Sequence, residues 1–193
     1  DLNPSADWSG ALKGVAVVFH SAARVHVMED TEADPLTAFR AVNVDSTLNL
    51  ARQAATAGVK RFVFISSVKV NGESTQPGRA FTEADAPNPQ DAYGQSKHEA
   101  EQGLRQLSAD TDMEVVIIRP PLVYGPGVRG NFLSLLKLCA KNWPLPLASI
   151  NNRRSLIYTG NLAALIGHIL TRPDTPGGIY LCKDGQDVAT PAL

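Results

Sequence analysis

The sequence predicts an α/β fold built on a parallel β-sheet that is covered by helices. Short apolar stretches typical of buried strands alternate along the chain with longer stretches whose apolar residues recur at helical spacing. Such alternation is characteristic of parallel sheets. With 193 residues, of which 44% are hydrophobic, the chain is long enough to bury one good core.

The first strand and helix follow from local residue choice. Gly14–His20 contains the apolar run Val-Ala-Val-Val-Phe of a short buried strand, and the small residues after it would let a ligand approach the main chain. Asp34 and Pro35 are preferred at the start of a helix, which we expect to end at Gly58 in the left-handed conformation. Asn43 lies mid-helix, where asparagine is unfavourable, and a solvent-facing polar side chain is the simplest interpretation.

A second strand, Phe62–Ser66, is followed by a long Pro- and Gly-rich loop, Gly72–Gln90, and then by a helix that begins near Asp91. Helical spacing predicts one buried face for this helix and places His98, Glu99, Glu101 and Arg105 away from it. The predicted face consists of Tyr93, Lys97, Ala100, Leu104 and Leu107.

The lysine in this apolar stripe suggests chemistry, because a buried ammonium group is costly unless it is needed. Tyr93 lies one helical turn before Lys97. A nearby cation favours the phenolate, so we expect Lys97 to lower the pKa of Tyr93 from its ordinary value near 10 toward neutrality. Tyr93 would then be a usable acid/base; the alternative is an ordinary helix pair with no chemical role.

The second half of the chain continues the alternation. The predicted elements are a strand Glu114–Ile118 ended by Arg119-Pro-Pro, a helix Phe132–Ala140, a helix Thr159–Thr171 and a strand Gly178–Cys182. Gly125-Pro-Gly127-Val-Arg-Gly130 matches the dinucleotide pattern G-x-G-x-x-G, but no acidic residue follows it before Asp174. We therefore reject it as the cofactor site, since that fingerprint needs an acid about 20 residues on for the ribose.

Charge and composition limit the partners. Residues 115–173 contain seven Lys or Arg residues and no acid, within a chain of net charge −1, which indicates a small anionic ligand. Interleaved aromatics are too few for a nucleic-acid surface, and no apolar run is long enough to span a membrane. Cys139 and Cys182 are expected to be buried thiols in a reducing compartment, with neither a disulfide nor a metal site.

Several motifs together resemble the extended short-chain dehydrogenases/reductases, in the NAD-dependent epimerase/dehydratase family. They occur in the family's order over nearly the whole chain. The matching residues are His20-Ser-Ala-Ala23, Asn43, Ser66-Ser67, Tyr93-x-x-x-Lys97 and Arg119-Pro-Pro-Leu-Val-Tyr-Gly-Pro-Gly127. The resemblance implies a Rossmann-like, doubly wound parallel sheet that is incomplete at its N-terminus, because the family's glycine fingerprint lies upstream of the segment that opens this chain. Residues 1–122 would be a partial NAD(P)-binding core, and residues 123–193 would combine part of a small substrate domain with returning core elements.

The same resemblance assigns site residues. Ser67, Tyr93 and Lys97 would be catalytic, and Lys97 would also hold the nicotinamide ribose. The residues implied in substrate binding are Lys69, Asn131 and Arg154. Arg154 would bind a phosphate of the substrate, because a guanidinium can donate two hydrogen bonds to one phosphate. The expected cofactor contacts are Asp1, His20, Ala22, Ala23, Asn43, Ser66, Tyr93, Lys97, Arg119 and Pro120, with the Asn43 side chain holding the main chain near the active site.

The implied activity is that of an NAD(P)-dependent nucleotide-sugar epimerase, which oxidises a sugar hydroxyl, commonly at C4, and returns hydride to the other face. An NADPH-dependent 4-keto nucleotide-sugar reductase of a bacterial polysaccharide pathway is the alternative, because Val70-Asn71-Gly72 replaces the Val-Tyr-Gly frequent in epimerases. Val68 and Lys69 stand where the family's dehydratases carry an Asp-Glu pair, which argues against dehydration. A non-catalytic dinucleotide sensor and a reductase of apolar substrates are further alternatives.

The resemblance also gives the expected cofactor and partners. These are NAD or NADP, a nucleotide-diphosphate sugar, and a second copy of the chain in a possible homodimer. No leader for export opens the chain, so a cytoplasmic location is expected. The chain itself is expected to be an internal fragment of a longer enzyme and to be inactive alone.

Overall fold

The computed structural model describes residues 2–25, 34–128, 130–141, 150–172 and 174–192, without the side chain of Asn131. Six strands and five α-helices alternate through the described residues. In chain order they are β1 Val17–His20, α1 Pro35–Arg40, α2 Ser46–Thr56, β2 Arg61–Ile65, α3 Ala92–Asp110, β3 Glu114–Arg119, β4 Leu122–Tyr124, α4 Gly130–Ala140, β5 Leu156–Tyr158, α5 Thr159–Thr171 and β6 Gly178–Leu181.

The main sheet has the strand order β1-β2-β3-β6, and each neighbouring pair is parallel. The α/β fold with a parallel sheet that the sequence predicts is therefore confirmed. Strand β2 begins level with β3, since Arg61 pairs with Glu114, and its last residue, Ile65, pairs with Ile118, one residue before the end of β3. The carboxyl ends of these strands consequently meet at one edge of the sheet, where parallel α/β proteins bind ligands.

The main core lies between this sheet and the helices α2 and α3. Its buried side chains include Leu50, Ala54, Phe64, Leu104 and Ile117. The two helices approach closely at Gly103, where an added Cβ would lie 2.6 Å from a methyl carbon of Leu48. This close packing fixes the position of α3, the helix that carries the predicted tyrosine and lysine.

The helix predicted between Asp34 and Gly58 is continuous, but it contains a π-helical turn. Asp34 caps α1 by accepting hydrogen bonds from the main-chain N–H groups of Leu36 and Thr37, and Gly58 has a φ of 81°. Between α1 and α2 the residues Ala41–Asp45 form the π-helical turn, with Asn43 buried inside it. A π turn inserts one residue into the helical repeat and turns a side chain inward, as is frequent at functional sites.

The chain divides into two compact units. The first comprises residues 1–119 and 172–181, and the second comprises residues 120–171 and 182–193. The second unit contains a parallel pair, β4 and β5, that the sequence did not predict, together with α4 and α5. Each of these strands has only three residues, too few for a periodic signal to be visible in the sequence.

None of the helices in the described part of the chain is long and apolar enough to cross a bilayer. Both cysteines are free thiols, but the prediction that both are buried is wrong for Cys139, which is exposed. Cys182 is half-buried, and burial raises the pKa of its thiol to about 11.

Candidate active site

Ser66 and Ser67 follow β2 directly, at the carboxyl edge of the sheet. The main-chain N–H of Ser66 donates to the carbonyl of Ile118 at 2.7 Å, which extends the pairing of β2 with β3 by one residue. Ser67 has an extended main chain and caps a short 3₁₀ turn, Val68–Val70, by accepting a hydrogen bond from the N–H of Lys69 at 3.2 Å. The chain therefore turns sharply after Ser67, and its hydroxyl is held at the strand end.

The helix α3 brings Tyr93 to the same place. Asp91 caps the helix by accepting a hydrogen bond from the N–H of Gly94 at 2.6 Å, which fixes the first turn on which Tyr93 lies. Ser67 lies close enough to Tyr93 for hydrogen bonding from its hydroxyl to lower the pKa of the phenol. The ring of Tyr93 also meets the ring of Phe39 edge-on, with centroids 6.1 Å apart. The structure therefore brings together two of the three predicted catalytic residues.

The predicted lowering of the Tyr93 pKa is not what the structure shows. Burial raises the pKa of Tyr93 to about 12, and the negative charge of Asp91 adds to this rise. The cation that opposes it is Lys69, assisted by the hydrogen bond from Ser67, and not Lys97. The reason is that removing a phenolate from water costs more than these two interactions recover.

Lys97 lies one turn beyond Tyr93 and is only 2% exposed. Its Nζ lies over the ring of Phe64 on β2, 4.2 Å from the ring centroid, which is the geometry of a cation–π contact. Burial lowers the pKa of Lys97 to about 7, although the nearby carboxylate of Glu101 acts in the opposite direction. Near neutral pH this lysine is therefore only partly charged.

His20, the last residue of β1, is buried close to Phe64 and Lys97. Its Nε2 lies 2.9 Å from the hydroxyl oxygen of Thr47, and its ring stacks against Phe64 at 5.9 Å. Burial, together with the charge of Lys97, lowers the pKa of His20 to about 4. The imidazole is thus neutral at physiological pH, and its predicted contact with a cofactor stays a prediction.

Asn43 faces inward, so the interpretation of a solvent-facing side chain is wrong. Its amide oxygen accepts from the main-chain N–H of Arg24 at 2.8 Å, and its amide nitrogen donates to the carbonyl of Arg24 at 3.1 Å. The same nitrogen donates to the hydroxyl of Ser96 at 3.0 Å, and Ser96 donates to the carbonyl of Tyr93 at 2.8 Å. Asn43 therefore joins the segment after β1 to the first turn of α3, which carries Tyr93.

A buried ion pair that the sequence did not reveal lies behind Ser66. Glu101 and Arg119 are each 2% exposed, and the guanidinium of Arg119 donates to both carboxylate oxygens of Glu101, at 2.9 and 2.5 Å. Glu101 was expected to lie off the buried face of α3, yet it follows Tyr93 and Lys97 at intervals of four residues. That row of three residues at spacing i, i+4, i+8 was the signal that could have identified it.

The segment Ser67–Val70 is called the serine turn below. Lys69, predicted to contact substrate, connects this turn to the start of α3. Its Nζ donates to Asp91 at 2.5 Å and to Glu73 at 2.8 Å. Burial lowers the pKa of Lys69, but the two carboxylates outweigh this effect and the pKa is raised. Lys69 therefore stays charged close to Tyr93, and a contact with substrate stays a prediction.

The remaining predicted residues are placed as follows. Ala22 is exposed and Ala23 half-buried in the turn after β1, while Pro120 is buried directly after β3. Asp1 and the side chain of Asn131 lie outside the described residues. In the second unit Arg154 is exposed, and its main chain pairs with that of Val188. The structure does not test the ligand contacts predicted for these residues.

Asp184 organises the second unit. Its carboxylate accepts hydrogen bonds from the hydroxyl of Tyr124 at 2.8 Å, from the N–H of Tyr158 at 3.0 Å and from the amide of Asn161 at 2.8 Å. Hydrogen bonds, that from Asn161 foremost, lower the pKa of Asp184.

The residues at the carboxyl edge suit a dinucleotide. The hydroxyl of Tyr93 and the ammonium of Lys97 are donors of the kind that hold ribose hydroxyls, and the small residues Ala22 and Ala23 leave the main chain after β1 open to close approach. In the part of the chain that the structure describes, no three His, Cys, Asp or Glu side chains are grouped so as to hold a metal ion.

A parallel sheet with Ser67, Tyr93 and Lys97 at its carboxyl edge defines a short-chain dehydrogenase/reductase. The sequence pattern of the NAD dependent epimerase/dehydratase family matches residues 1–182. The chain therefore belongs to the NAD-dependent epimerase/dehydratase family.

Individual relatives agree with this assignment. The chain is 52% identical over 191 residues to "UDP-glucose 4-epimerase" of Vibrio cholerae, which covers 98% of this chain and 58% of that protein. Among solved structures, UDP-glucuronic acid 4-epimerase from Bacillus cereus, in complex with UDP-glucuronic acid and NAD, superposes with a TM-score of 0.83 at 23% identity, covering 97% of this chain and 60% of that one. MoeE5, in complex with UDP-glucuronic acid and NAD, gives a TM-score of 0.80 at 26% identity and covers 97% of this chain and 62% of that one. The chain thus spans less than two thirds of each of these relatives.

Proposed function

We propose that the full-length protein containing this chain is an NAD-dependent nucleotide-sugar 4-epimerase. The observation that carries the proposal is that Ser67 and Tyr93 lie together at the carboxyl edge of the sheet, with Lys97 one helical turn further on. The 52% identity to a protein named UDP-glucose 4-epimerase supports the same activity. Substrate and cofactor are inferred from these relatives and from the charge distribution.

In this proposal the side chain of Tyr93 moves the proton. Its Oη, as phenolate, takes the proton of the sugar C4 hydroxyl, and Ser67 orients that hydroxyl by hydrogen bonding. NAD, when bound, would supply hydride-transfer chemistry at C4 of the sugar. Lys97 holds the nicotinamide ribose.

Tyr93 needs help to ionise, because its pKa of about 12 in this structure leaves it almost entirely protonated at neutral pH. A positively charged nicotinamide ring is an additional cation of the kind that favours a phenolate. Lys69 already acts in that direction. The proposal therefore expects the catalytic pKa of Tyr93 to be lower in the cofactor complex than in the chain alone.

The proposed substrate is a nucleotide-diphosphate sugar. Seven basic residues and no acid between positions 115 and 173 suit a diphosphate, and Lys69, Asn131 and Arg154 are the proposed contacts. NAD is the favoured cofactor, NADP the alternative, and the proposed enzyme is a cytoplasmic homodimer. Val68 and Lys69, which cannot replace the Asp-Glu pair of the family's dehydratases, support epimerisation over dehydration.

The test uses the full-length protein containing residues 1–193. The purified protein is denatured and the released material is scanned for dinucleotide, and a second sample is incubated with UDP-hexose epimers without added cofactor. Retained NAD with interconversion of the epimers is the expected result. Oxidation of added NADPH only with a 4-keto UDP-sugar would instead identify the reductase.

Two tyrosine variants provide the matched comparison. Tyr93→Phe removes the acid/base and is expected to lower kcat by about 10²-fold to 10⁴-fold. Tyr180→Phe removes a hydroxyl that donates only to the carbonyl of Pro176 at the far side of β3, and we expect it to leave kcat unchanged. Equal activity of the wild type and Tyr93→Phe would contradict the catalytic role of Tyr93, and retained dinucleotide without any turnover would favour a sensor.

A further inference from the structure

The ion pair between Glu101 and Arg119 is part of a larger buried network. Besides both bonds from Arg119, the carboxylate of Glu101 accepts from the hydroxyl of Ser66 at 2.5 Å. Arg119 also donates to the side-chain oxygen of Asn71 at 3.0 Å, and Asn71 in turn donates to the carbonyl of Thr82 at 2.9 Å. Both carboxylate oxygens and the guanidinium nitrogens are thus engaged inside the protein.

These contacts surround the serine turn on both sides. Ser66 directly precedes Ser67, and Asn71 directly follows the 3₁₀ turn that Ser67 caps. Glu101 lies on α3, two helical turns beyond Tyr93 and one beyond Lys97, and Arg119 is the last residue of β3. One ion pair therefore ties the entrance and the exit of the serine turn to the helix that carries the tyrosine.

We propose that Glu101 and Arg119 are positioning residues that hold the hydroxyl of Ser67 at hydrogen-bonding distance from Tyr93. The inference rests on the proposed function for its catalytic consequence, while the geometric claim about the two hydroxyl groups stands on its own. Neither side chain is exposed enough to act on substrate, so each works through Ser66, Asn71 and the backbone of α3.

Stability alone is a weak explanation for this pair. Two apolar side chains of similar size often replace a buried ion pair without loss of stability, because burying both charges costs about as much as their attraction returns. What an apolar pair cannot reproduce is the directed set of bonds to Ser66 and Asn71. A misplacement of about 1 Å at a catalytic centre can cost about 10²-fold in rate, so such directionality has a large effect on catalysis.

The first test is the double variant Glu101→Leu/Arg119→Met in the full-length protein. It removes both charges together, so no uncompensated charge is left inside. We expect kcat for epimerisation to fall about 10-fold to 100-fold with little change in KM. The acid limb of the kcat–pH profile should move to higher pH, because the hydrogen bond from Ser67 lowers the pKa of Tyr93 and its loss raises that pKa.

A second variant, Arg119→Lys, keeps the charge balance and covers the case in which the double variant does not fold. A single ammonium group lacks the planar fork that reaches both oxygens of Glu101 and also Asn71. We expect Arg119→Lys to fold and to show a smaller fall in kcat with a shift of the acid limb in the same direction. Wild-type kcat and an unchanged acid limb in Arg119→Lys would overturn the proposal.

The matched control is Glu114→Gln at the opposite edge of the same strands. Glu114 pairs with Arg61 at 2.6 Å and accepts from the N–H of Gly177, so its loss weakens the same sheet away from the serine turn. Glu114→Gln should lower the free energy of unfolding without moving the acid limb. An equal change of the acid limb in this control would mean that general loosening, and not positioning, is responsible.

A spectroscopic measurement separates this inference from the proposed function. Tyrosine labelled with ¹³C at Cζ reports hydrogen bonding of each phenol, and Tyr93→Phe identifies the resonance of Tyr93. The resonance should move in the double variant and in Arg119→Lys toward its position in Ser67→Ala. If it stays at the wild-type position, the inference is wrong whatever the activity; if the wild type lacks epimerase activity and dinucleotide, only the proposed function fails.

Discussion

The neighbours of Tyr93 act on its pKa in opposite directions. Burial and Asp91 raise the pKa of its phenol, whereas Lys69 and the hydrogen bond from Ser67 lower it. Lys69→Gln removes the cation and leaves Asp91 without this partner. We expect the acid limb of the kcat–pH profile to move upward, and kcat at pH 7 should fall about tenfold for every pH unit that the limb moves. Lys60→Gln, at an exposed lysine before β2, is the control and should match the wild type.

Lys97 gives a prediction about stability. Its pKa is lowered to about 7 in the folded chain, whereas an ordinary lysine titrates near 10.5. Between these values the unfolded chain binds a proton that the folded chain does not, so the free energy of unfolding rises with pH. The expected slope from pH 7 to pH 8.5 is up to about 1.4 kcal/mol per pH unit. Urea unfolding at several pH values measures it, and Lys97→Met should be flat over this range while Lys60→Met keeps the slope.

At the scale of single elements, the π-helical turn contains Asn43 as its buried residue. The buried amide makes three hydrogen bonds, two to the main chain of Arg24 and one to Ser96. Asn43→Leu leaves these groups without their partner, and we expect a loss of about 2 kcal/mol in the free energy of unfolding together with weaker retention of dinucleotide. Asn49→Leu removes an amide from the next part of the helix, where it donates to the carbonyl of Ala6. It should cost less and leave retention of dinucleotide unchanged, and equal effects of the two variants would contradict this role.

The helices and strands also show how much of the structure could be predicted from the sequence. Alternating apolar stretches, the N-caps Asp34 and Asp91 and the glycine at Gly58 are local signals, and the helices and strands of the main sheet follow them. The spacing of Glu101 from Tyr93 and Lys97 could have placed it on the buried face, but its pairing with Arg119 and the pKa of Tyr93 were not predictable in this way, because both depend on which side chains from distant segments lie beside them. Arg119 lies 18 residues from Glu101, and Lys69 lies 22 residues from Asp91.

For the chain as a whole, the division into two units predicts separable responses to mutation. Asp184 joins the ends of β4, β5 and α5 in the second unit by three hydrogen bonds. Asp184→Ala should accelerate amide hydrogen exchange in residues 122–124 and 156–161 and leave the exchange of β2 and β3 unchanged. Asp187→Ala removes an acid of the same unit whose bonds to Ser155 and Lys183 are exposed, and it should change exchange much less. Uniform acceleration across both units after Asp184→Ala would show that they open as one.

The chain crosses between the two units three times, which limits how one unit could be exchanged between relatives. The chain leaves the first unit after Arg119, returns to it with Arg172 to supply β6 beside β3, and leaves again after Leu181. A chimaera that takes the second unit from another family member therefore needs three junctions, at 119/120, 171/172 and 181/182. A single crossover between β3 and β6 would instead combine β3 with a foreign β6. Exchange of the whole second unit between relatives is therefore expected to be less frequent than substitution within it.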